Sequence, residues 1–430
     1  MTVTYEIFFK RGFTILDTIS TSGNCIELCT DNTYVYGVHN TSGLKAFSFD
    51  GTSLSVVNSF DDNRDYRRVA TNGTYVYTLS NAYESGLSAF KMSGDGVLYL
   101  RDTIICPSAN GYQYHIRCDI SNNIFTSHDY WGLKYYTFDG ESFTFVDKFN
   151  GEEDEGFYCK PTWSDGTLVY AYNSQSDSEF YIFSYSSNSL NKLIEYYIDD
   201  IKSIVGSNFT SAIISGTILY MGGKEVYPII FSSATEDPGE CVPWRYSEDI
   251  DEDYIQDYGH SCITMDDNYV YSVGPDIGDN NQINILKMDK SGAAAYHLIK
   301  IDTQEFDDEI GSLCSDGNYL YFSDDNEKLH ACELNKDLFS IDSDGEYLTN
   351  LNISNTNTTA YQNANMIINH PSGSNLQIND IVYVYINDKL IFQGSINRIS
   401  KYLEKTQMDI IGVTYTMWEG FVTNIGGEIE

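Results

Sequence analysis

The chain has 430 residues, with 25 basic side chains against 62 acidic ones and a formal charge of −37. Such a balance excludes a protein that tracks nucleic-acid phosphates, which requires a basic footprint, and it disfavours docking on an anionic membrane surface. Hydrophobic residues at 42% and aromatics at 14% supply a core, so the acidity serves solubility or the binding of a divalent cation or a basic partner.

The N-terminus, Met1-Thr-Val-Thr-Tyr-Glu6, lacks the charged start and apolar centre of a signal peptide, and no apolar run is long enough to cross a membrane as a helix. Residues 11–20 resemble stretches that close later repeats, such as Val97-Leu-Tyr-Leu-Arg-Asp-Thr103 and Phe143-Thr-Phe-Val-Asp-Lys-Phe149. They are expected to form an outer strand that completes the last unit of a ring, which removes the open seam that a circular array would otherwise expose.

Repetition begins at Asp31-Asn-Thr-Tyr-Val-Tyr36. Variants follow at Asn72–Tyr77, Ser121–Phe125, Asp165–Tyr170, Ser215–Tyr220, Asp267–Tyr271 and Asp316–Tyr321, their last aromatics lying 41 to 51 residues apart. Asn-Gly and Asp-Gly tolerate the positive φ of a tight hairpin, and the Tyr-Val-Tyr type of run favours a strand. A period of this size with strand composition predicts a β-propeller. Within a repeat, an apolar strand, the turn, the aromatic strand, a run such as Leu44-Lys-Ala-Phe-Ser-Phe49 and an outer strand make four strands. The expected fold is therefore all-β: a seven-bladed propeller over residues 1–344, or six blades if the irregular fifth repeat is an insertion.

Nine cysteines are an odd number. Cys29, Cys118 and Cys314 lie seven residues before their marker aromatic and Cys262 lies nine before, so they are expected as buried thiols near the ring axis of a protein folded in a reducing compartment. Zinc-type pairs are absent from the sequence.

Candidate binding residues sit where repeats disagree. Tyr130 and Trp131 follow the third aromatic strand, and Trp244 and Tyr246 lie in the long connection of the fifth repeat; exposed Trp and Tyr anchor protein and sugar recognition, or else cap blade interfaces. Asp249, Asp251, Asp253 and Asp257 follow the spacing of a calcium loop. Tyr254 replaces the Gly that the bend prefers, and a solvated acidic loop is the alternative. Acidic runs at Gly151–Glu155 and Asp307–Glu309 read as loop surface. The histidines form no metal or triad signature, so no cofactor beyond calcium and no enzyme is expected, although channel carboxylates would suit a polysaccharide lyase or glycosidase.

After about Gly345 the repeat stops. Val382, Val384 and Ile386 alternate with Tyr383, Tyr385 and Asn387, Asn387-Asp388 turns the chain and Leu390–Gly394 returns it; with Ser395–Ser400 and Gln407–Val413 this predicts a small β-barrel or sandwich over 345–430. The run Ile378–Asn387 followed by Ile391-Phe-Gln-Gly-Ser-Ile-Asn-Arg-Ile399 resembles the small barrel segment of tail-hub and baseplate proteins of tailed bacteriophages. That resemblance implies a virion structural or attachment protein, present in multiple copies of a symmetric assembly. Residues 345–430 would dock to other tail proteins while the propeller binds a host-surface glycan, receptor or virion protein. The alternatives are a propeller enzyme and a cytosolic scaffold for protein partners.

Overall fold

The computed structural model describes residues 5–9, 13–39, 42–80, 86–105, 113–128, 132–149, 159–164, 166–173, 179–197, 211–215, 218–222, 226–230, 241–242, 262–266, 269–276, 279–289, 296–334, 348–354, 362–368, 381–386, 389–402 and 405–414. Every regular element among them is a strand.

The recurring turn explains why the sheets form. The Asp316 carboxylate accepts the N–H groups of Asn318 and Tyr319 at 2.8 and 2.7 Å and the hydroxyl of Tyr321 at 2.9 Å. Gly317 sits at φ 85°, where a side chain would be strained. Asp31 repeats the arrangement with Thr33, Tyr34 and Tyr36, and Asp266 with Tyr269 and Tyr271. One side chain thus fixes both the turn and the first ring packed behind it. Burial, with the carboxylate beside it, raises the phenols of Tyr36 and Tyr321 well above their ordinary range. Asp316→Ala leaves the Tyr321 hydroxyl and two N–H groups without their acceptor, so a loss of about 3 kcal/mol is expected in urea unfolding. Asp316→Asn is expected to lose about 1 kcal/mol, since Asn72 holds the same turn in the second repeat.

Each marker aromatic lies in the second strand of its own antiparallel sheet. In the first blade the order is Cys25–Thr30, Val35–His39, Gly43–Phe49, Leu54–Phe60. Seven such sheets succeed one another, the fifth with three described strands and the sixth with five. Their inner strands touch in cyclic order: Cys25–Thr30, Tyr66–Thr71, Gln113–Cys118, Cys159–Ser164, Ser211–Ser215, Ile263–Met265, Ile310–Ser315 and back to the first. The last blade takes its outer strand, Phe13–Ser20, from the N-terminal end, paired with Lys328–Leu334. This is a β-propeller.

Its core lies between blades. Tyr36, Val38, Leu44 and Ala46 of the first blade pack on Tyr66, Val69, Val76 and Phe90 of the second. Ala70, Tyr77 and Leu87 of the second meet Ile116, Ile124 and Phe138 of the third. Each fully buried aromatic contributes roughly 2–3 kcal/mol of transfer free energy, and edge-to-face pairs such as Tyr77 with Phe138, at 5.9 Å, fix the ring angles.

The chain divides into two compact units. The propeller unit is Thr14–Lys287 with Leu298–Glu333, and the other is Met1–Phe13, Met288–His297 and Leu334–Glu430. The second unit holds one antiparallel sheet of six strands, ordered Tyr5–Phe9, Ile381–Ile386, Lys389–Tyr402, Lys405–Thr414, Gln362–Ile368, Leu348–Ser354. Two differences from expectation follow. Tyr5–Phe9 pairs with Ile381–Ile386, Tyr5 opposite Ile386 and Phe9 opposite Val382, so the first residues go with the C-terminal unit and not with residues 1–344. The separate strands expected at 390–394 and 395–400 are one 14-residue strand, whose irregularity between Ile396 and Arg398 accommodates the break in its alternation.

Candidate interaction surfaces

Tyr130, Trp131, Trp244, Tyr246, Asp249, Asp251, Asp253 and Asp257 lie outside the described residues. Among the described residues, no group of three or more His, Cys, Asp or Glu is placed to hold a metal ion. Asp307, Asp308 and Glu309 lie just before the last inner strand, and Asp308 meets Lys328 at 3.7 Å.

The polar residues nearest the ring axis form links between blades. Ser312 Oγ accepts the N–H of Leu28 at 3.0 Å, the Glu27 carboxylate accepts the N–H of Val69 at 2.7 Å, and Cys262 Sγ accepts the N–H of Leu313 at 3.4 Å. In each case the acceptor stands two residues before the residue paired with its blade's marker aromatic. Each donor stands one residue before the corresponding position in the next blade. The link is positional, so carboxylate, hydroxyl and thiol interchange. Glu27 also faces Arg117 of the third blade at 3.7 Å, both largely buried. Glu27→Ala removes the acceptor for Val69 and strands a partly buried guanidinium, with an expected loss of about 2–3 kcal/mol. Glu27→Gln, which keeps an acceptor oxygen, is expected to lose about 1 kcal/mol; urea midpoints of the two variants separate the terms.

Cys262 was expected beside the other axial cysteines, but it occupies this linking position. Cys29 and Cys314 do pair with their markers. In the third blade Arg117 pairs with Phe125 and Cys118 with Ile124, because the Asp119–Asn123 turn holds one extra residue. Cys25, Cys29, Cys118, Cys262, Cys314 and Cys332 are free thiols. Burial pushes the thiols of Cys25, Cys118 and Cys332 up to about 12, so they stay protonated and weakly nucleophilic at neutral pH.

A row of Thr18, His330 and Asp324 resembles an acyl-transfer relay: Thr18 Oγ1 and His330 Nδ1 are 2.9 Å apart, and His330 Nε2 and Asp324 Oδ2 are 2.9 Å apart. In the second blade Thr103 and Ser88 form the outer-to-third-strand contact at 3.0 Å, Ser80 stands where the last blade has Asp324, and the third partner is Arg64, from before the inner strand. The contact persists while its residue types change, which marks it as a connection between outer and third strands.

A second set of links runs round the rim. Asp17 accepts the N–H of Leu54 at 2.6 Å, Asn58 that of Leu98 at 3.3 Å, Asp102 that of Phe143 at 2.9 Å and Asp147 that of Leu190 at 2.9 Å. Each of these four outer strands therefore holds the start of the next, including the N-terminal strand with the first blade. Sequence carries this signal as Leu or Phe followed four residues later by Asp or Asn, at Leu54–Asn58, Leu98–Asp102 and Phe143–Asp147.

Large apolar side chains are exposed as well. Of the eight large hydrophobic side chains exposed among the described residues, seven lie on outer strands: Ile15, Val56, Phe145 and Leu193 singly, and Tyr99, Leu100 and Ile105 together on Leu98–Ile105. The eighth is Ile120, in the extended turn of the third blade. No helix is long and apolar enough to cross a membrane among the described residues.

No family model and no curated protein matches the chain. Its fold is similar to solved β-propellers. The Cps50 (Swd1) β-propeller domain of Myceliophteria thermophila is 10% identical with a TM-score of 0.55, over 75% of this chain and 100% of that one. A chain of a mitotic checkpoint complex is 12% identical with a TM-score of 0.53, over 76% and 94%. Raptor of Chaetomium thermophilum is 6% identical with a TM-score of 0.55, over 76% of this chain and 29% of that one. These matches correct the expectation of a phage tail or baseplate protein: the similarity runs to propellers of this kind, and none of the three is a virion protein. The expectation rested on Ile378–Ile399, an alternating hairpin pattern that any antiparallel sheet with a short turn satisfies.

Proposed function

We propose that the protein is a scaffold that holds protein partners through its propeller. The observation that carries this reading is the placement of exposed large apolar side chains on outer strands, while polar clusters near the axis and rim are consumed by links between blades. Apolar side chains exposed together mark an interaction surface where scattered single ones do not, so Tyr99, Leu100 and Ile105 on one outer strand weigh most. The propeller neighbours include one solved as part of a mitotic checkpoint complex, which supports the same reading. Native mass spectrometry of the tagged chain purified from cells that express it tests the proposal. A complex of fixed stoichiometry with an identified protein is expected. A solitary chain that turns over a polysaccharide, with turnover abolished by one carboxylate-to-amide change, would replace it with an enzyme.

A further inference from the structure

The outer strand of the second blade differs from the other outer strands. Leu98–Ile105 is paired on one side, with Gly86–Met92, and ends its sheet on the other. Tyr99 is 50% exposed, Ile105 68%, and Leu100 lies between them in sequence. Among the described residues, four other outer strands each carry a single exposed large apolar residue, Ile15, Val56, Phe145 or Leu193. An unpaired edge with apolar side chains is a template for another strand.

The chain itself shows what such an edge accepts. In the sixth blade the two-residue strand Cys241–Val242 pairs on the far side of the outer strand Tyr296–Glu305, making a fifth strand. The edge of Leu98–Ile105 is interrupted by a register shift between Leu100 and Asp102, so it too offers short runs. Arg101, at the shift, directs its Nε to the Gly140 carbonyl of the next blade at 3.1 Å. The formal charge of −37 repels a second copy and attracts a basic segment.

We infer that the outer edge of Leu98–Ile105 docks an extended segment of another protein, apolar at alternate positions with basic residues between, which joins the second blade as its fifth strand. This rests on the scaffold reading and adds where and how the partner is held. Main-chain hydrogen bonds supply adhesion, Leu100 and Ile105, which share one face of the sheet, select the apolar positions, Tyr99 covers the segment from the opposite face, and the acidic chain draws it in.

The test uses the full chain and a labelled hexapeptide, Lys-Val-Lys-Val-Lys-Val, followed by fluorescence anisotropy at physiological ionic strength. Saturable binding is expected, weakened at least about tenfold by N-methylation of alternate peptide nitrogens and by Tyr99→Lys or Leu100→Lys. Thermal melting checks that these exposed substitutions keep the fold. Equal binding of the N-methylated peptide would mean attachment by charge alone and would overturn the inference. Unchanged binding by the two variants, absence of saturation, or self-association through this edge at high salt would do the same. A natural complex that survives Tyr99→Lys would leave the scaffold reading standing and remove this one.

Discussion

Replacing Phe13–Ser20 by eight Gly and Ser residues, with Tyr5–Phe9 kept, is expected to lower the thermal midpoint by more than about 10 °C, the scale of losing several kcal/mol from a domain this large. The strand is the outer member of the last blade. Without it, Lys328–Leu334 becomes an open edge, Leu54 loses the Asp17 carboxylate at 2.6 Å, and His330 loses Thr18. Ile19, which packs on a cluster spanning Leu28, Tyr321 and Leu329, is lost as well. Asp17→Ala alone is expected to lose about 1–2 kcal/mol. A replaced chain that melts within a degree or two of the original would show that the ring does not depend on this closure.

Acidification is expected to weaken the fold through His39. The side chain is fully buried. Its Nδ1 meets the Gly23 carbonyl at 2.9 Å, which assigns the proton to Nδ1, and Nε2 finds no hydrogen-bond partner among the described residues. Burial first, with Lys45 nearby, lowers its pKa from 6.5 to about 4, against an opposing contribution from the Gly23 bond. A group whose folded pKa is lowered in this way is held neutral, and the unfolded chain binds the proton more readily. The stability is therefore fully present above about pH 6.5 and is lost as pH falls toward about 4, a total of about 3 kcal/mol. Urea unfolding of the parent chain and of His39→Gln across that window checks it. The variant is expected to show a flatter dependence, and comparison between the two cancels the carboxylate titrations they share. Parallel curves would sink the assignment.

Much of the propeller was legible because its signals are local. Asp316-Gly317 followed by Tyr319 and Tyr321 announces a turn and a strand through side chains a few residues apart, and the likeness of residues 11–20 to 97–103 is one of composition and spacing. What lay hidden depends on register between repeats. Cys262 stands nine residues before its marker where Cys29 and Cys314 stand seven, and those two residues move it from a blade interface to an inter-blade link; the offset was visible, its meaning was not. Arg117 takes the place of a small side chain because the third turn is longer by one residue, a change that slides the pairing without altering the hydrophobic pattern. In the C-terminal unit, the pairing of Tyr5–Phe9 with Ile381–Ile386 spans nearly the whole chain, and nothing local announces it. The exposed side chains of Leu98–Ile105 escaped notice because apolar residues in an alternating run read as core.

Both series of inter-blade links have the same direction. The first repeat presents an N–H to the acceptor behind it and an acceptor to the N–H ahead at both axis and rim, so it contains one matching half for each neighbour. A tandem duplication of that repeat would therefore insert a unit that mates with the original on either side and leaves no half unmatched. Ring size in such a lineage is open to change by copying whole repeats, whereas a cut within a repeat would strand a donor or an acceptor at both axis and rim.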